Sequence, residues 1–290
     1  MTLEKLSPCK VNLLLNILGK RGDGFHELET VMHPVNLFDR LTFQRGGDGV
    51  TLTCSDQALP VDSSNLVHRA ASAFLEGARI RDGVRIHLEK QIPMAAGLGG
   101  GSGNAATTLL GLNELFGESL RPKKLAELAA TLGSDVPFFL QGKPALATGR
   151  GECITALEFF PALRGLAFLL VHPGFGVATA WAYRELAKFP EALMGRRDRA
   201  QRLVSLLEAG DMARASAEFY NSLEAPVLRK YPVLALYQEF MRANGALAAL
   251  MSGSGSTTFA LVRSQVAGEV LAERFKEKFG PACWTAVVAV

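Results

Sequence analysis

Cysteine is scarce and scattered in this chain. The four present, Cys9, Cys54, Cys153 and Cys283, lie too far apart in sequence for a CxxC metal or redox pair. Free thiols in a reducing compartment are therefore the expected state. Long apolar runs are missing as well. None exceeds Leu166 to Val171, far short of the ~20 residues that a membrane span requires. The apolar stretch near the start is interrupted by Lys10, Asn12 and Asn16, so it does not read as the core of a secretory signal. Net charge is only +3 over 290 residues, too little to argue for nucleic acid. The densest basic stretch, Arg196, Arg197, Arg199 and Arg202 with Asp198 among them, reads as the solvated face of a helix. Repeats and low-complexity segments are absent. What remains is a cytoplasmic globular protein with no membrane or nucleic-acid partner, long enough for one large domain or two ordinary ones.

What is present alternates strand and helix signals. Residues 10–18, 27–37, 40–45 and 50–54 read as strands, with glycine turns between them. Ser63-Ser64-Asn65 offers a cap for a helix carrying Leu66, Ala70, Ala73 and Phe74 on one face. Residues 84–92 alternate Val84, Ile86 and Leu88 with Arg85, His87 and Glu89, the pattern of a half-buried strand. Helices are expected over 104–116 and 122–132, the second opened by Pro122. Short strands at 144–148 and 153–157 follow, then a buried strand at 166–171. Helices dominate 178–243, and the chain closes with strand 246–251, strand 257–262, helix 264–278 and strand 283–289. The pattern is α+β in two halves, divided near residues 155–165.

The most informative stretch is 93–106, PMAAGLGGGSGNAA, in which five glycines fall between Gly97 and Gly103. Glycine reaches positive φ and lets backbone N–H groups approach an anion closely. A helix N-terminus adds unpaired N–H groups and a partial positive charge. A flexible linker is the bland alternative, but linkers do not usually join an apolar strand to an amphipathic helix. Three common phosphate loops fail here. No Gly-Lys-Ser/Thr follows the glycines, because Gly103 leads into Asn104 and Ala105. The third glycine of a dinucleotide fingerprint is replaced by Ser102 or Asn104, depending on register. The protein-kinase strings are missing too: the nearest are His68-Arg69-Ala70 and Asp23-Gly24-Phe25.

Pro-x-x-x-Gly-Leu-Gly followed by small residues and serine resembles the GHMP kinase family of small-molecule kinases. Pro8-Cys9-Lys10-Val11-Asn12-Leu13 is similar to that family's first motif, and Met251-Ser252-Gly253-Ser254-Gly255-Ser256 to its third. Further strings resemble one branch of it: Gly19-Lys20-Arg21-Gly22-Asp23-Gly24-Phe25-His26, Leu132-Gly133-Ser134-Asp135-Val136-Pro137, His172-Pro173-Gly174 and Asn221-Ser222-Leu223-Glu224. That branch transfers the γ-phosphoryl group of ATP to the 2-hydroxyl of a cytidine diphosphate-linked methylerythritol. The resemblance implies a two-domain fold: residues 1–158 as an ATP-binding domain like ribosomal protein S5 domain 2, and residues 159–290 as a ferredoxin-like α/β sandwich. A monomer or weak homodimer is expected. Rival readings are another small-alcohol kinase of the family, such as a mevalonate or homoserine kinase, or a nucleotide-binding module without catalysis.

The resemblance also implies roles. Asp135 becomes the general base for a poorly nucleophilic tertiary alcohol; read from residues alone, it serves equally well as a cap of the following helix. Lys10 becomes its electrostatic partner, offsetting charge on the transferred group; the alternative is a structural lysine at a strand edge. The ATP triphosphate falls to Pro93, Ala95, Gly97, Leu98, Gly99, Gly100, Gly101, Ser102, Gly103 and Asn104. Ser102 is the hydroxyl expected to touch phosphate or Mg²⁺, an ion held mostly by phosphate and water because no carboxylate cluster marks a protein cage. Asn12, Phe25, His26 and Tyr183 are assigned to the cytidyl substrate: Phe25 and Tyr183 as walls of the base pocket, His26 as the reader of the cytosine edge. Gly253, Ser254 and Gly255 close over the site, or merely form a tight turn between strands. Departures from the branch are Cys9 for alanine, Ala95 and Ala96 for glycines, Phe25 for tyrosine, and Gly103 for a second serine. The last shifts weight onto Ser102.

Overall fold

A computed structural model describes residues 2–290, which group into two compact units, each assembled from separate stretches of chain. The first takes residues 2–9, Leu37–Pro93 and Gly99–Gly142; the second takes Lys10–Asn36, Met94–Leu98 and Lys143–Val290. Two long strands, β1 (Thr2–Lys20) and β2 (His26–Arg45), contribute to both. The expected break between 27–37 and 40–45 is absent. A mid-strand carboxylate at Asp39 suggests a break, but this one is fully buried. Its oxygens accept from the Gln91 and Ile92 N–H groups, the Asn104 amide and the Lys90 ammonium, so the strand continues through it.

The first unit adds β3 (Val50–Cys54), α1 (Leu66–Gly77), β4 (Val84–Glu89), α2 (Gly100–Leu115) and α3 (Pro122–Leu132). Its strands run in the order β3-β4-β2-β1, with β4 parallel to β3 and antiparallel to β2. Alternation in β4 buries Val84, Ile86 and Leu88, and Leu88 and Ile86 stand opposite Leu41 and Phe43 of β2. Asn65 caps α1, accepting the Val67 N–H at 2.9 Å. The three helices pack on one another over buried Phe74, Leu109 and Leu112. Helix α2 starts at Gly100, earlier than the expected Asn104. Glycine disfavours helix, but here closeness outweighs propensity. A Cβ on Gly103 would lie 2.4 Å from the Pro8 carbonyl, and one on Gly111 would lie 2.7 Å from the Phe43 ring.

The second unit continues with β5 (Ala145–Gly149), β6 (Cys153–Ala156), β7 (Ala167–His172), α4 (Thr179–Leu186), α5 (Pro190–Leu193), α6 (Arg199–Glu208), α7 (Met212–Ala215), β8 (Tyr220–Asn221), α8 (Glu224–Lys230), α9 (Val233–Ala243), β9 (Ala248–Met251), β10 (Thr258–Val262), α10 (Gln265–Phe279) and β11 (Trp284–Ala289). Here β5 pairs with β2 and β6, and β8 runs parallel to β1. A separate antiparallel sheet, β11-β7-β10-β9, carries α9 and α10 against it. Its core includes Leu169, Val171, Ala260, Leu271 and Phe275, the α/β sandwich expected of this half. The arginine stretch is more than a solvated face: Arg196, Arg199 and Arg202 lie 3.1, 3.7 and 2.7 Å from the nearly buried Glu218 carboxylate. Among the described residues, no helix is long and apolar enough to cross a membrane.

Candidate active site

The second unit holds the lysine. Lys10 and Asn12 sit on the same face of β1, two residues apart, and both are 2% exposed. The Lys10 ammonium donates to Asn12 Oδ1 at 2.6 Å and to the Gly97 carbonyl at 3.1 Å. Asn12 Nδ2 in turn donates to Thr30 Oγ1 at 2.8 Å, and that hydroxyl donates to the Leu14 carbonyl. A buried lysine so oriented is no solvated strand-edge residue. Thr30 supports it, a role with no local sign in the sequence.

Residues 94–98 are fixed beside it by backbone bonds: Lys10 N–H to the Leu98 carbonyl at 2.9 Å, and Thr257 N–H to the Ala96 carbonyl at 3.1 Å. Positive φ alternates along this stretch, at Ala95 (+50°), Gly97 (+77°) and Gly99 (+69°). Such alternation is the kind of backbone geometry from which anion-binding concavities are built. Ala95 occupies a conformation better suited to the glycine common at that position. The turn 251–256 packs on the same stretch, with Ser252 Oγ donating to the Gly97 carbonyl at 2.9 Å. A Cβ on Gly97 would lie 2.0 Å from the Ser252 carbonyl, and one on Gly253 would lie 2.9 Å from the Gly97 carbonyl. Residues 252–255 are therefore both a tight turn between β9 and β10 and a neighbour of Gly97. Asn221 holds this turn: its amide donates to the Met251 and Gly253 carbonyls at 2.8 and 2.7 Å. Ser254 Oγ meets Thr179 Oγ1 at 2.9 Å.

The expected base-binding residues also belong to this unit. His26 and Tyr183 come together, ring centroids 5.3 Å apart and tilted by 40°. Burial, with a smaller contribution from Lys20, pushes the His26 imidazole below its ordinary range, so it is neutral near pH 7. Phe25 is 53% exposed, a poor core anchor, and the Arg150 guanidinium lies 4.7 Å from its ring centroid. Arg21 staples the preceding turn, contacting Asp23 at 3.1 Å and Glu27 at 2.6 Å, while Asp23 accepts the Phe25 N–H.

The first unit holds the rest of the glycine stretch and the carboxylate. Gly100, Gly101 and Ser102 form the first turn of α2, where N–H groups lack partners within the helix. Gly101 is exposed and Ser102 half-buried. Gly103 packs inward. Its N–H is committed to the Gly99 carbonyl at 2.8 Å, and its missing side chain makes room for Pro8. Asn104 likewise turns inward, donating to Ser7 Oγ at 3.0 Å and Asp39 at 2.9 Å. Asp135 is half-buried in the turn before the 3-10 helix Pro137–Leu140. The residue before that helix is Val136, whose side chain makes no capping bond. Among the described residues, no group of three or more His, Cys, Asp or Glu stands ready to hold a metal ion.

Known proteins resemble this chain in sequence and fold. The family model described as GHMP kinases N terminal domain matches residues 65–143, and that described as GHMP kinases C terminal matches residues 203–281. A 4-diphosphocytidyl-2-C-methyl-D-erythritol kinase of Pelotomaculum thermopropionicum is 42% identical over 277 residues, 95% of this chain and 94% of the relative. A crystal structure of a 4-(cytidine 5'-diphospho)-2C-methyl-D-erythritol kinase is 37% identical with a TM-score of 0.80, covering 99% of this chain and 100% of that one. The homoserine kinase of Cytophaga hutchinsonii shares the fold, with a TM-score of 0.75 at 21% identity over 100% of this chain and 95% of that one. The chain therefore belongs to the GHMP kinases, and within them to the 4-diphosphocytidyl-2-C-methyl-D-erythritol kinase family.

Proposed function

We propose that the chain transfers the γ-phosphoryl group of ATP to the 2-hydroxyl of 4-diphosphocytidyl-2-C-methyl-D-erythritol, a step toward isoprenoid precursors, in the cytoplasm. Residues 1–158 and 159–290 form its two domains in this reading, and the two family matches lie on either side of that boundary. The observation that carries the proposal is the buried Lys10 ammonium, tied to Asn12 and to the carbonyl of Gly97 in the glycine stretch. Asp135 accepts the hydroxyl proton as the new O–P bond forms and the bond from the γ-phosphorus to the β–γ bridging oxygen breaks. A positioned base of this kind contributes ~10²–10⁴ in rate. Lys10 offsets charge on the group in transfer. The N–H groups from Gly97 to Ser102 receive the triphosphate; Gly103 contributes packing.

Mg²⁺ carried by the ATP phosphates would supply charge neutralisation. Ser102 would hold the ion there, through a hydroxyl in the first turn of α2. His26 and Tyr183 receive the cytosine, with Phe25 at the rim and Asn12 toward the alcohol. The test is incubation with ATP, Mg²⁺ and a panel of alcohols that includes the cytidyl substrate, homoserine and mevalonate, followed by phosphorus NMR. Transfer to the cytidyl substrate alone is expected. Transfer to another alcohol would reassign the substrate, and bound ATP without any transfer would favour a binding module.

A further inference from the structure

We propose that Asp39 is a positioning residue for the phosphate-binding turn, a single carboxylate that clamps the chain just before that turn and just after it. Asp39 lies in the middle of β2 and is fully buried, so it touches no substrate. Its Oδ1 accepts the Gln91 N–H at 2.7 Å and the Ile92 N–H at 2.9 Å. Its Oδ2 accepts Asn104 Nδ2 at 2.9 Å and also meets the Lys90 ammonium. Residues 91 and 92 lead into the glycine stretch, and Asn104 lies just inside α2, beyond it. One side chain thus fixes both ends of the segment that must present its N–H groups to an anion.

The surroundings agree with a placement role. Side chains of Lys90 and Asp39 are 7% and 0% exposed, and a buried ion pair is seldom more stabilising than apolar residues of equal volume. Its presence here therefore calls for a reason other than stability. The clamp lies against the first residue of α2: a Cβ on Gly100 would be 3.0 Å from Ile92 and 3.4 Å from the Lys90 ammonium. A shift of the 90–92 backbone would move that helix start directly. The inference deepens the proposed function, since it rests on reading 97–102 as the triphosphate cradle.

Removing Asp39 alone would strand a buried ammonium, so the test uses a Lys90→Met background, which also cancels any direct effect of Lys90. In that background Asp39→Ala deletes the clamp, and Asp39→Asn restores an oxygen for the two backbone N–H groups. ATP affinity is measured by calorimetry, KM for each substrate by steady-state kinetics, and folding by thermal melts. Asp39→Ala should weaken ATP about tenfold, the weight of one or two hydrogen bonds, with KM for the cytidyl substrate unchanged. Asp39→Asn should recover most of that loss. A folded Asp39→Ala variant that binds ATP within about twofold of its background overturns the inference and leaves the function standing. A wild-type chain that turns over no cytidyl substrate and binds no ATP overturns both. If Asp39→Ala does not fold, the Asp39→Asn variant decides by the same ATP-affinity measurement against Asp39→Glu. Glutamate is longer by one methylene and displaces the 90–92 backbone, so equal ATP affinities in those two variants also overturn the inference.

Discussion

Gly97 and Gly210 share the same backbone conformation, φ +77°, in very different surroundings. At Gly210 an added methyl meets nothing within 4 Å; at Gly97 it would lie 2.0 Å from the Ser252 carbonyl and 3.1 Å from the Gly255 nitrogen. Comparing Gly97→Ala with Gly210→Ala therefore separates conformational strain from packing. A left-handed φ costs an alanine ~1–2 kcal/mol at either site. At Gly97 the 252–255 turn must also retreat, which breaks the Ser252 bond and displaces the carbonyl that holds Lys10. A neutral hydrogen bond is worth about 1 kcal/mol and one to a charged group about 1.5–3, so Gly97→Ala should lose roughly 2.5–4 kcal/mol beyond Gly210→Ala. Misplacing the ammonium by about 1 Å should lower turnover about 10²-fold, whereas Gly210→Ala keeps wild-type turnover. The assay is a thermal melt paired with kcat on both substrates. Equal melting temperatures in the two variants, with turnover within about twofold of wild type, would refute the packing argument and the role of Gly97 together.

Other expectations follow from the same geometry. Asp135→Asn should keep the melting temperature and lower kcat by ~10²–10⁴; near wild-type turnover would sink its assignment as base. Lys10→Met should reduce kcat by more than it raises KM for ATP, if its work is done mainly on the group in transfer, and the reverse pattern would make it a binding residue. His26→Ala should raise KM for the cytidyl substrate and leave that for ATP alone. His33 is buried against Phe159 and Phe168, which pushes its imidazole down to about 4. The unfolded chain binds that proton first, so stability is full above pH ~6.5 and falls by roughly 3 kcal/mol as pH drops toward 4. Denaturant titrations should show this loss in wild type and its absence in His33→Leu.

The glycine turn, the helix cap at Asn65 and the alternation of β4 were legible because each is written in adjacent residues. The inward turn of Asn104 and the continuity of β2 through Asp39 were not, because both depend on partners dozens of positions away. Asn104 finds Ser7 and Asp39; Asp39 finds residues 90–92. Glycines in a cluster look alike in sequence, and the approach of Pro8 is what sets Gly103 apart. Asn221 stood within a recognisable string, but its grip on Met251 and Gly253 leaves no local trace. Arg150 over Phe25 was invisible for the same reason.

Strands β1 and β2 each serve both units, and this governs how the chain comes to be folded. Every residue of the first unit has been synthesised once Gly142 is made, but the intervening Lys10–Asn36 must wait for a unit that ends at Val290. Such non-local pairing slows folding and leaves strand edges open in the meantime. β1 and β2 are thus half-employed through the second half of synthesis. No single cut separates these two units of the chain, so a fragment ending at Gly142 should be insoluble.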